Sequence, residues 1–156
     1  MKIVLASDEY YPVHQDIIIQ ILHTLGHQVD LFGACASHRE EPWVEVADKA
    51  AQSIINGSCD EGIFLCWTGT GISIAANKIP GIRAALCTTS ETARGARLWN
   101  HANVLALSNQ LMTRKLAEEI LHAWFEPYNH EKGLKGVQSL IELDNRFRKI
   151  PAQTFS

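Results

Sequence analysis

Short runs of Ile, Val, Leu, Ala and Phe alternate along the chain with stretches in which apolar residues recur every three or four positions. The runs Lys2–Ala6, Gln28–Phe32, Gly62–Cys66, Ile82–Leu86 and Val104–Leu107 show no polar alternation, so they predict strands covered on both faces. The intervening stretches predict helices. Over Val13–Leu25, one stripe holds Val13, Ile17, Ile18, Ile21, Leu22 and Leu25, and Gly26 supplies the stop. A second helix opens near Pro42, turns Trp43, Val46, Ala47, Ala50 and Ile54 inward, and ends at Asn56-Gly57. Thr88-Thr-Ser-Glu91 has the form of a capping box and opens a helix that runs to about Asn100. Thr113–Phe125 and Leu134–Arg148 complete the set. The last carries Leu134, Val137, Leu140, Ile141 and Phe147 on one side, more apolar surface than a lone terminal helix needs, which points to packing on a partner chain. Strands that alternate with helices in this way predict βαβ units and a parallel sheet, an α/β fold.

Composition narrows the class. With 156 residues, 46% of them apolar and 20% charged, the chain fits a single domain over residues 1–150, followed by a frayed tail over 151–156. A formal net charge of −3 provides no general attraction to polyanions, so nucleic acid is not an expected partner. No run approaches the roughly 18 apolar residues of a membrane span, and the N-terminus has no signal-peptide plan; the expected location is cytoplasmic. The four cysteines, Cys35, Cys59, Cys66 and Cys87, form no CxxC pair and read as reduced thiols.

Chemistry concentrates in Gly62–Lys78, GIFLCWTGTGISIAANK, an apolar strand, a Gly-rich turn and a helix start at Ser73. A strand that ends this way directs backbone N–H groups and the helix dipole into the cleft beyond the sheet's carboxyl edge, where an anion or a developing oxyanion is stabilised. Cys66 ends the strand beside those donors, a setting that favours the thiolate, so it is a candidate nucleophile or base. The dinucleotide fingerprint GxGxxG fails because Ile74 stands where its third glycine would be, and GxxxxGK[ST] is absent. A cysteine hydrolase would need a histidine partner, and none of the seven histidines lies in a recognisable motif. His23 and His27 have i,i+4 spacing, but Gly26 ends the helix between them, and no metal site is expected.

The run Cys66-Trp-Thr-Gly-Thr-Gly-Ile-Ser-Ile-Ala-Ala-Asn-Lys-Ile-Pro-Gly-Ile-Arg-Ala-Ala-Leu-Cys87, with Asn100-His-Ala-Asn-Val-Leu-Ala-Leu107 and Ser7-Asp8, resembles the type B ribose-5-phosphate and galactose-6-phosphate isomerases. The resemblance spans about Met1 to Arg148. It implies a Rossmann-like three-layer α/β/α sandwich with a five-stranded parallel sheet of order 2-1-3-5-4. It also implies a homodimer or tetramer with active sites at the interface, and aldose–ketose isomerisation of a sugar phosphate through a cis-enediolate with no cofactor. Carried over by position, Cys66 matches the base that moves a proton between C1 and C2, and Thr68 matches the residue that moves one between the oxygens. The N–H groups of Trp67, Thr68, Gly69, Thr70 and Gly71 would cradle the enediolate; Asp8 and Asn100 match substrate-binding positions.

Departures from the family fall on phosphate handling and ring opening. Glu9 replaces the histidine of an Asp-His pair, Trp99 the ring-opening histidine, Gln110 the arginine after the fifth strand, and Glu41 a tyrosine. Lys132 and Gly136 stand where two arginines grip phosphate across the dimer, so Lys132 alone keeps a basic contact. Ribose 5-phosphate is therefore an expected poor substrate, and a shorter acyclic sugar phosphate would need no ring opening. Its phosphate would fall to Lys132, Lys135, Arg94 or Arg97. An unphosphorylated sugar is the other possibility. His101, two positions beyond Trp99, would be turned about 200° away on a continuing helix. Trp43 and Trp124 read as core, while Trp67 and Trp99 flank the site and can wall the sugar pocket. The competing functions are a non-catalytic sugar or sugar-phosphate-binding subunit of a mixed oligomer and, on the glycine turn alone, a dinucleotide-dependent oxidoreductase.

Overall fold

The computed structural model describes residues 1–147. Five strands, β1 (Lys2–Ser7), β2 (Gln28–Gly33), β3 (Glu61–Cys66), β4 (Ala84–Leu86) and β5 (Val104–Ser108), pair in parallel in the order β2-β1-β3-β5-β4. Helices α1 (Pro12–Thr24), α2 (Ala34–Ser37), α3 (Trp43–Ile55), α4 (Thr70–Ala76), α5 (Ser90–Asn100), α6 (Arg114–Phe125) and α7 (Leu134–Phe147) complete the described chain. Residues of α1, α5 and α6 pack on one face of the sheet, in a core with Ile3, Leu5, Ile63, Leu65, Leu105 and Leu107. The opposite face packs α3 and α4 against Val4, Ala6, Phe64, Cys66, Val104 and Ala106. Covering both faces produces the apolar strands seen in the sequence and a three-layer α/β/α sandwich.

Several expected boundaries shift, each for a local reason. The fourth strand was expected over Ile82–Leu86, but pairing begins at Ala84 because asparagine side chains take the preceding backbone groups. Asn103 Oδ1 accepts from Arg83 N at 2.8 Å, and Asn77 exchanges two 2.8 Å bonds with the Ala84 amide and carbonyl on the open edge of the sheet. The capping box lies one residue later than expected. Thr89 and Thr92 satisfy each other's backbone N–H groups, while Glu91 pairs with Arg94 instead. Helix α4 starts at Thr70 rather than Ser73, since the turn closes at Gly69. Val13, in the first turn of α1, is left in solvent, so the buried stripe is Ile17, Ile18, Ile21 and Leu22. Trp124 is core as expected; Trp43 is not, being 42% exposed and laid over Gly71. The short helix α2 was not expected at all. Helix α7 has no buried residue, and Leu134, Leu140, Ile141 and Phe147 are exposed. Arg148 and the tail expected to fray, 151–156, lie outside the described residues.

Candidate active site

The chain turns outward to opposite sides after β1 and β3, the two central neighbours, so their carboxyl ends flank the crevice where α/β sheets bind ligands. Cys66 is the last residue of β3 and is 6% exposed, its side chain on the α3–α4 face beside Ile72. The turn behind it depends on Gly69, whose φ is +77°. A Cβ there would stand 2.5 Å from Leu86 Cδ1 and 3.0 Å from the Leu107 backbone, so no other residue lets the chain pass this close to β5. The hydroxyls of Thr68 and Thr70 bond each other at 2.6 Å across the turn. The first turn of α4, containing Thr70 and Gly71, carries N–H groups without helical partners, and Thr70 N donates to Thr68 Oγ1 at 3.4 Å.

The last residue of β5 and the two that follow it clamp this turn. Asn109 N donates to the Cys66 carbonyl at 3.0 Å, and the Trp67 carbonyl accepts from Gln110 N at 3.0 Å and Ser108 Oγ at 2.8 Å. Trp67 is exposed and stacks with Tyr11 at 6.2 Å, and Tyr11 stacks in turn on His14 at 5.2 Å. Tyr11, His14 and Asn109 were not expected in the site. Their separation in sequence hides them, although an aromatic pair, Tyr10-Tyr11, directly after the Asp8-Glu9 strand edge is a signal that could have been read.

The β1 edge is acidic. Burial, then the charge of Glu9, raises the Asp8 carboxyl from 3.8 to about 6, with Glu40 adding to the shift. Burial and the carboxylates of Glu9, Glu40 and Asp8 likewise push the Tyr11 phenol up. Asp8 Oδ1 and Glu9 Oε2 are buried with no hydrogen-bond partner among the described residues. Glu9 lines a small cavity with Ser7, Tyr11, His14, Gln15 and Asn109 on the α1 face, opposite the face that holds Cys66. Burial raises the other thiols, Cys35 to about 12 and Cys59 and Cys87 in the same direction, which keeps them protonated.

Asp8, Glu9, Cys66, Trp67, Thr68, Gly69, Thr70 and Gly71 thus share one edge of the sheet, but Trp99, Asn100 and Lys132 do not join them. Helix α5 returns from the carboxyl edge, so its last residues, Trp99 and Asn100, stand where β5 begins, while Cys66 lies beside the residues where β5 ends. The length of β5, about 13 Å from its first residue to its last, alone separates the two groups. At the amino edge Lys132 Nζ sits 5.4 Å from the centre of the exposed Trp99 ring, and Gly133, at φ +81°, passes against the Trp99 carbonyl. His101 is not on a continuing helix. It caps α5 in a left-handed conformation, and its Nε2 donates to the Lys132 carbonyl at 2.6 Å. Two of the proposed phosphate holders are engaged elsewhere: Arg94 with Glu126 and Glu91, Arg97 with Glu61. Among the described residues no group of three His, Cys, Asp or Glu side chains is placed to hold a metal, and no helix is long and apolar enough to cross a membrane.

A match to the ribose/galactose isomerase family covers residues 3–139. The chain belongs to that family. This protein is a sugar-phosphate isomerase. Ribose-5-phosphate isomerase B of Escherichia coli is 32% identical to it over 148 residues, which cover 92% of this chain and 99% of that protein. D-erythrulose-4-phosphate isomerase of Pectobacterium atrosepticum is 44% identical over 82 residues, 53% of this chain and 54% of that one. The solved structure of Clostridium thermocellum ribose-5-phosphate isomerase B superposes with a TM-score of 0.85 at 36% identity, covering 94% of this chain and 99% of that chain. Family membership and topology agree: the sheet order 2-1-3-5-4 is the one the resemblance implied.

Proposed function

We propose that the protein interconverts an aldose phosphate and a ketose phosphate through a cis-enediolate, with Cys66 as the base. The observation that carries this reading is the placement of the Cys66 side chain at the carboxyl end of the central strand β3, directly before the Gly69 turn. In the aldose-to-ketose direction the thiolate takes the proton from C2, and the C2–H electron pair becomes the C1=C2 bond as charge moves to O1. The N–H groups from Trp67 to Gly71 stabilise that charge. The Thr68 hydroxyl delivers a proton to O1 and receives one from O2; the Cys66 thiol then returns its proton to C1. Carbon 2 is oxidised and carbon 1 reduced within one molecule, so the step needs no external electron acceptor.

Asp8 accepts hydrogen bonds from sugar hydroxyls, which supply the donors its buried Oδ1 lacks. The site is completed between two copies. Trp99, Asn100 and Lys132 of one copy reach the Cys66 edge of another, which resolves their separation within one chain, and the exposed apolar side of α7 contributes to the shared surface. The acidic β1 edge disfavours a phosphate there. A short acyclic sugar phosphate, such as a tetrulose 4-phosphate, needs no ring opening and so has no use for the histidine that Trp99 replaces. The partial likeness to D-erythrulose-4-phosphate isomerase supports this choice.

The deciding experiment incubates the protein in deuterated water with C3 to C6 aldoses and ketoses, free and phosphorylated, and follows deuterium entry at C1 and C2 by NMR. A tetrose or tetrulose phosphate should exchange fastest. Cys66→Ser should abolish exchange while leaving the fold intact; undiminished exchange in that variant overturns the role of the thiol.

A further inference from the structure

We infer that His14 and Asn109 are positioning residues for proton transfer at Cys66, locking the carboxyl ends of β1, β3 and β5 to helix α1; the catalytic half of this inference rests on the reading of Cys66 as the base. Asn109 is 4% exposed and bonds in three directions. Its backbone N–H donates to the Cys66 carbonyl at 3.0 Å, its side-chain Nδ2 faces Ser7 Oγ at 3.4 Å, and its Oδ1 faces His14 Nδ1 at 3.2 Å. One residue therefore joins three parts of the site: its side chain ties the residue before Asp8 to the first turn of α1, and its backbone N–H holds the carbonyl of Cys66.

Donor counting fixes the protons. The Ser7 hydroxyl hydrogen is spent on the Glu9 carbonyl at 2.7 Å, so Ser7 Oγ can only accept, from Glu9 N at 3.3 Å and from Asn109 Nδ2. The Asn109 amide then has its oxygen toward His14, and an oxygen needs a donor there. His14 must carry its proton on Nδ1, which leaves Nε2 of the neutral ring as an acceptor. Stacking on Tyr11 holds the ring in that orientation. Because Cys66 Sγ and the Asp8 carboxylate hang from strand ends tied by this network, loosening it moves the base relative to the sugar hydroxyls, and misplacements of about 1 Å can cost about 100-fold in rate.

Three measurements test the inference. Nitrogen-15 NMR of the intact protein should show the neutral His14 ring protonated at Nδ1; protonation at Nε2 overturns it, and this readout needs no variant to fold. Alkylation of Cys66 by iodoacetamide, read by mass spectrometry against Cys87 in the same molecule, should quicken severalfold in His14→Leu. In His14→Gln, whose amide N–H still donates, it should match the unaltered protein. No change in the leucine variant, or equal change in both, overturns the brace. On the sugar found by deuterium exchange, His14→Leu should lower kcat about tenfold with KM within about twofold, and His14→Gln should recover most of it. A kcat unchanged by the leucine variant overturns the catalytic half. If the unaltered protein exchanges no sugar proton, it is the proposed activity that fails, while tautomer and alkylation still decide the brace.

Discussion

Arg97, in α5, and Glu61, at the start of β3, form an ion pair beneath the surface, their side chains 12% and 9% exposed. The remaining Glu61 oxygen accepts from Trp124 Nε1 at 2.9 Å, and the guanidinium lies 4.9 Å from the Trp124 ring and 5.1 Å from Tyr128. Burial raises the Glu61 carboxyl, with Arg97 and the Trp124 hydrogen bond opposing it. Removing one member of such a pair strands the other charge in the interior, which costs about 3 to 5 kcal/mol. Arg97→Met should therefore lower stability by about 3 kcal/mol in urea unfolding, and adding Glu61→Gln should restore part of the loss. A single variant as stable as the unaltered protein would show that the pair contributes little to holding α5 and α6 on the sheet.

The Asp8 carboxyl gives stability a pH dependence whose sign follows from its raised pKa. Its folded value of about 6 lies above the ordinary 3.8, so its contribution is fully present below pH 4 and is lost as pH rises to about 6. Above that range the fold carries a carboxylate it disfavours. Asp8→Asn should raise the melting temperature at pH 7 to 8 and leave it nearly unchanged at pH 3.5. The same variant should lose turnover, because the neutral amide is a weaker acceptor for sugar hydroxyls. Equal shifts in melting temperature at both pH values would contradict the assignment of cause.

Much of this arrangement can be read along the chain, and what cannot has a physical reason. Strands buried on both faces are written as unbroken apolar runs, and Gly69 announces its turn because no side chain fits between Leu86 and Leu107. Cys66 and Asp8 are legible because a strand end locates them locally. Asn109 and His14 are not, since their pairing spans 95 positions and polar residues in loops carry no period. Arg94 and Arg97 look available in the sequence, and only the tertiary packing shows their carboxylates. The direction in which α5 returns across the sheet decides that Asn100 and Cys66 lie on opposite edges, a fact about topology rather than about either residue.

Ribose 5-phosphate should be a poor substrate. At an effective dielectric near 20, a carboxylate about 6 Å from a phosphate costs ~3 kcal/mol per unit of charge. The β1 edge holds Asp8 and Glu9, with Glu40 close enough to act on the Asp8 carboxyl. Glu9→Gln should raise kcat/KM for ribose 5-phosphate severalfold and change that for an unphosphorylated sugar much less. Turnover of ribose 5-phosphate by the unaltered protein as fast as by a ribose-5-phosphate isomerase B would refute the prediction, as would a Glu9→Gln variant that treats both sugars alike.

Sharing of the site between copies can be tested by mixing two inactive variants. Cys66→Ser disables the proton-transfer edge, and Asn100→Leu disables the edge supplied by the other end of the sheet, about 13 Å or more away in the same chain. In a symmetric dimer, a mixed pair holds one site with both defects and one site with neither. Random exchange at equal concentrations makes half the dimers mixed, so about a quarter of full activity should return although each parent is inactive. Dissociating and refolding the proteins together, then assaying against each parent treated alone, gives the answer. Activity that stays at parental levels, with exchange of subunits verified by native mass spectrometry, would mean that Asn100 does not serve the neighbouring copy's Cys66.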